Sequence, residues 1–133
     1  MKCIDVSDMK KLVNAIGLET FFHELADYML EDYKRWDAFD HKPRPASHSP
    51  EGVVEVMPAC DGKHYSFKYV NNHPANYKEG LQSVIAFGMY ADMRTGYPVL
   101  LSEMTIATAL RTAVMSALTA KYLARENAKT MAV

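Results

Sequence analysis

At 133 residues and 15.0 kDa the chain has the length of one domain, enough to bury roughly two thirds of its unfolded surface without a disulfide or metal staple. Hydrophobic residues make up 49% and charged residues 23%, with 6 Gly and 6 Pro, which excludes a disordered, collagen-like or low-complexity chain. A formal net charge of −1 carries no basic excess for a nucleic acid or a membrane surface, and no apolar run approaches the ~20 residues that span a bilayer.

The first residues, MKCIDVSDMKKLV, place acids where a secretory signal would carry its apolar stretch. Cys3 and Cys60 form no CxxC pair, so a cytoplasmic chain with buried or inert thiols is expected. Ser7 and Asp8 predict a helix start and Gly17 its stop, giving a short helix over 8–16. A longer amphipathic helix follows. Leu18, Phe21, Phe22, Leu25, Tyr28, Met29, Tyr33 and Trp36 recur at spacings of three and four, while Glu19, Glu24, Glu31 and Lys34 take the other face. It ends before Pro43.

Beyond Pro43 the period changes. Segments 46–49, 53–57, 65–70 and 83–92 are rich in β-branched and aromatic residues, with turns at 50–52, 61–62 and the polar stretch 71–76. Residues 92–96 join the strand over 83–91 to 97–101 in the strongest hairpin signal of the chain, with Gly96 available for the left-handed position. A second long helix is predicted from about Thr105 to Ala124, dense in Ala, Thr and Ser, so that its backbone can approach a sheet closely. Asn127 is its stop, and an apolar strand begins at Lys129. The expected fold is α+β, with N-terminal helices, an antiparallel meander and a long helix after it.

A few charges do not belong to a solvated face. Arg111 is the only charged side chain between Met104 and Ala120, in a helix otherwise built for close packing. It is either half of an ion pair with Glu103 or a distant acid, or a planar fork for a carboxylate or phosphate. Lys68 lies among aromatics in His64–Val70, and alternation puts it opposite Phe67 and Tyr69. Arg44 is held extended between Pro43 and Pro45, and Glu55 shares a strand face with Val53 and Met57. Three cations and one acid at positions whose neighbours suggest burial complement an α-amino acid, the cations for its carboxylate and the acid for an ammonium. The five histidines show no metal spacing, and no Gly-x-Ser-x-Gly, Cys/His arrangement or phosphate-cradling Gly loop is present.

Three blocks carry a resemblance. Residues 47–58 (SHSPEGVVEVMP), 67–76 (FKYVNNHPAN) and 96–113 (GYPVLLSEMTIATALRTA) resemble, in order and spacing, the ornithine cyclodeaminase/mu-crystallin family, and within it the bacterial ornithine cyclodeaminase branch. The resemblance implies that residues 1–127 are a substrate-binding and dimerisation domain, whose sheet closes a barrel with that of a second copy. It implies that residues 128–133 open a dinucleotide-binding domain whose Gly-rich loop and catalytic Asp lie outside these residues. The implied reaction is NAD-dependent conversion of L-ornithine to L-proline and ammonia. Matched by motif, Arg44, Lys68 and Arg111 would bind the substrate carboxylate, Glu55 an amine, and Met57 would line the pocket. Ser83 and Arg111 would face the cofactor, although relatives often have Thr at the position of Ser83. These 133 residues alone would bind NAD weakly. A stand-alone, non-catalytic dimeric ligand-binding protein and a domain of a related amino-acid dehydrogenase are the alternatives.

Overall fold

Asp5 opens the first helix in the computed structural model, which describes residues 1–132. Its carboxylate accepts the Asp8 amide at 2.9 Å, and the Asp8 carboxylate accepts the Asp5 amide at 3.4 Å. This reciprocal cap starts α1 (Val6–Ile16) two residues earlier than Ser7 and Asp8 suggested. After Gly17 comes α2 (Leu18–Lys34), shorter than its apolar stripe, because Trp36–Ala38 tighten into a 3-10 turn. A third helix, α3 (Thr105–Leu123), falls where the sequence put it.

Six strands form one mixed sheet: β1 (Lys2–Ile4), β2 (Ala46–Ser49), β3 (Gly52–Cys60), β4 (His64–Asn72), β5 (Ala86–Asp92) and β6 (Pro98–Glu103). Their order is β1-β6-β5-β4-β3-β2. The meander from β2 to β6 is antiparallel throughout, as expected. The hairpin is as expected too: Gly96, at φ 69, donates its amide to the Asp92 carbonyl at 2.8 Å, and Asp92 Oδ1 accepts the Thr95 amide at 2.8 Å.

Several expectations are corrected. β1 was not foreseen; it pairs parallel to β6, with Cys3 opposite Leu101. The edges of the sheet are therefore β1 and β2, and within one copy the sheet is open. Cys3 is exposed on that edge, not buried, whereas Cys60 is half-buried, and both thiols are free. β5 begins at Ala86 rather than Ser83, because the Asn71 carboxamide oxygen takes the Ile85 amide at 2.5 Å and turns residues 81–85 into a loop. Residues 128–132 form no strand, since a strand needs a neighbour to complete its hydrogen bonds and none is there; Val133 lies outside the described residues.

Strand register sorts the side chains by face. Met57, Lys68, Gly88 and Ser102 lie in one row, and Val56, Tyr69, Phe87 and Glu103 form the next, on the opposite face. α3 packs on the Lys68 side, close enough that a Cβ on Gly88 would overlap Met104 Sδ and stand 3.0 Å from the Phe67 carbonyl oxygen. The buried core, Met9, Val70, Ala86, Ala91 and Val114, is small. Opposite α3, Phe87 stacks on Tyr69 at 5.0 Å and meets Phe67 edge-on at 6.4 Å, while staying 41% exposed.

Candidate functional site

Two prolines and one hydrogen bond place Arg44. Pro43 and Pro45 keep its backbone extended, and the Val56 amide donates to the Pro45 carbonyl at 3.0 Å, docking the segment against β3. Arg111 is placed by the anchoring of α3. Thr105 Oγ1 accepts the Ala86 amide at 2.9 Å, and Glu103 Oε1 accepts the Ile106 amide at 2.8 Å. Arg111 follows less than two turns later.

Arg44, Met57 and Arg111 line one open cavity of about 420 Å³ together with Tyr33 at the end of α2, and Trp36 and His41 just after it. Trp36 stacks on Tyr33 at 5.8 Å and meets the His41 ring at 4.5 Å with a tilt of 31°, while His41 Nε2 lies 3.1 Å from the Trp36 carbonyl oxygen. Because a carbonyl only accepts, that nitrogen carries the ring proton.

Lys68 stands directly across from Met57 in the β3–β4 register. Its ammonium is pushed below the ordinary lysine value, first by partial burial and then by the nearby guanidiniums of Arg111 and Arg44, with Glu55 working in the opposite sense. Glu55 occupies the same β3 face as Met57, two residues along. Lys68 is thus near enough to feel each of the other three charged residues singled out in the sequence. Arg111 differs from expectation in being exposed to the open cavity rather than buried, and so does Arg44. The Glu103 pairing is not formed either: Glu103 spends its carboxylate capping α3, and no acid stands within ion-pair distance of Arg111 among the described residues.

Ser83 is not brought to this cluster. It sits in the loop before β5, where its hydroxyl donates to the Pro74 carbonyl at 3.5 Å. The polar stretch 71–76 is only partly a turn: Asn71 and Asn72 end β4, and the short 3-10 helix Pro74–Glu79 follows, held by the Asn76 carboxamide, which donates to the Gln82 carbonyl at 3.0 Å. No group of His, Cys, Asp or Glu among the described residues could hold a metal ion, and no helix is long and apolar enough to cross a membrane. Sequence reasoning missed Thr108, whose Oγ1 accepts Lys68 Nζ at 3.4 Å, and the aromatic wall at Trp36; the first was one hydroxyl among many and the second one member of an apolar stripe.

Arg44 and Arg111 face an open cavity that Asp32 and Asp40 also line, whereas Lys68 and Glu55 are not among its lining residues; the two guanidiniums can bind a carboxylate there. The ornithine cyclodeaminase of Brucella abortus biovar 1 (strain 9-941) is 59% identical over 130 residues, 98% of this chain and 36% of that protein. A lysine cyclodeaminase, solved to explain its recognition of L-lysine, L-ornithine and L-2,4-diaminobutyric acid, superposes with a TM-score of 0.82 at 28% identity, over 92% of this chain and 38% of that one. An archaeal alanine dehydrogenase dimer with bound NAD gives 0.77 at 26% identity, over 94% and 38%. The chain therefore spans little more than a third of the length of the relatives it matches. The model of the ornithine cyclodeaminase/mu-crystallin family matches residues 6–133, and the chain belongs to that family.

Proposed function

We propose that this chain is the substrate-binding and dimerisation domain, residues 1–127, of an NAD-dependent ornithine cyclodeaminase that converts L-ornithine to L-proline and ammonia. The observation that carries this is a set of cations with no ion-pair partner among the described residues: Lys68 feels both Arg44 and Arg111, and a substrate carboxylate would relieve their repulsion on it. Arg44 and Arg111 grip that carboxylate, Lys68 adds its charge from the sheet, Glu55 holds an amine, and Met57 closes the apolar side.

The residues present suit an anionic cofactor only at one point. Arg111 has no acid partner among the described residues and can serve a phosphate as well as the substrate, whereas the Ser83 hydroxyl is turned toward Pro74. NAD, when bound, supplies a reversible hydride acceptor. Its cradle and the acid/base group would lie in a dinucleotide-binding domain that residues 128–133 lead into. The partner is a second copy of the chain, and the compartment is the cytoplasm.

The test is a product balance on the intact protein with NAD. L-Ornithine should yield L-proline and ammonia one for one, with no net NADH, and Arg111→Ala should weaken L-ornithine binding at least tenfold by calorimetry. That factor equals about 1.4 kcal/mol, within the range of a charge-assisted contact. NADH accumulating with ammonia and without proline would overturn the reading in favour of an amino-acid dehydrogenase, and no turnover at all in favour of a binding protein.

A further inference from the structure

The hydroxyls of α3 are of two kinds. Thr112, Ser116 and Thr119 donate to the carbonyls one turn back, those of Thr108, Thr112 and Met115, at 2.7, 3.2 and 2.8 Å. This is the ordinary habit of a hydroxyl on a helix. Thr105 and Thr108 turn to the sheet instead. Thr105 serves the Ala86 backbone and so anchors the helix, while Thr108 accepts the ammonium of Lys68 at 3.4 Å.

A hydroxyl has one proton and two acceptor lone pairs. Lys68 uses a lone pair of Thr108, and no acceptor for the Thr108 proton is found among the described residues. Lys68 also needs restraint. Its ammonium rides on a flexible four-carbon stem and is repelled by Arg111 and Arg44, so without a local acceptor it would swing away from them. Thr108 lies one turn before Arg111 on α3, so one helix carries both the hydroxyl that meets Lys68 and the guanidinium that lines the cavity.

We propose that Thr108 positions Lys68 and is itself the fourth donor of the anion site, accepting the Lys68 ammonium and giving its own proton to the substrate carboxylate. The proposal rests on the carboxylate-site reading above and adds a neutral donor to its three cations.

The experiment compares Thr108→Val, which keeps the shape and removes the hydroxyl, with Thr108→Ser, which keeps the hydroxyl, in the intact protein with NAD and L-ornithine. Thr108→Val should raise KM and the calorimetric Kd about five- to twentyfold with kcat within about twofold of the parent. Thr108→Ser should stay within about twofold on all three. Should Thr108→Val fail to fold, Thr108→Ala is measured against Thr108→Ser in the same way. Equal losses in the hydroxyl-free and Ser variants would show a packing role and overturn the proposal. So would an unchanged Kd without the hydroxyl, while tight L-ornithine binding by the parent still upheld the site. A parent protein that binds no amino acid would overturn both.

Discussion

Lys68 sets function against stability within one side chain. Its pKa lies below the ordinary 10.5 because burial and the Arg111 and Arg44 charges disfavour the ammonium. The sign follows: the folded state binds this proton less tightly than the unfolded chain, so the charged lysine costs stability at pH values below its unfolded pKa. Lys68→Met should therefore raise the thermal midpoint of the ligand-free protein at neutral pH while weakening L-ornithine binding. In the parent, affinity for L-ornithine should fall as pH rises through the lowered pKa, earlier than an ordinary lysine would allow, and Lys68→Met should lose that step. Calorimetry and thermal unfolding across pH 6 to 10 check both halves. Lys68 was legible in the sequence because strand alternation separates it from Phe67 and Tyr69, and the register agrees. The exposure of Arg111 was not legible. Composition marks α3 as closely packed, but which side of a helix meets an open cavity is decided by tertiary contacts.

At the scale of elements, a small network fixes the β3–β4 turn to the end of α2. Asp61 accepts the amides of His64 and Lys63 at 2.8 and 3.0 Å and pairs with Arg35 Nη1 at 3.2 Å. The His64 amide contributes most to holding its carboxyl down at about 2. A depressed carboxylate contributes stability that is complete above its unfolded pKa and is lost as pH falls through the folded one. Thermal unfolding should thus show a loss between about pH 4 and pH 2 that Asp61→Asn largely removes, its midpoint being already low at pH 7. An unchanged acid limb in Asp61→Asn would contradict this role. The turn itself was legible from Asp61–Gly62, as was the hairpin from Asp92–Gly96. β1 was not, because three residues carry no period, and only the β6 edge makes Lys2–Ile4 a strand.

For the whole molecule, surface area is the telling quantity. A compact monomer of this mass exposes about 7,000 Å², whereas this chain exposes 9973 Å². Its exposed large apolar residues include Phe87, which packs with Phe67 and Tyr69 on the face away from α3. Such a patch needs a partner. Sedimentation of this chain at micromolar concentration should give about twice 15.0 kDa, and Phe87→Asp, which sets a charge on that face, should shift it toward the monomer; a parent chain that sediments as a clean monomer would contradict the barrel dimer. The convergence of the cations is tested most directly by a crystal structure of the intact protein with L-ornithine and NAD. The predicted result is a substrate carboxylate within hydrogen-bond distance of Arg44, Lys68 and Arg111, with an amine toward Glu55. A carboxylate bound elsewhere, or Arg111 and Lys68 facing different environments around it, would contradict the account.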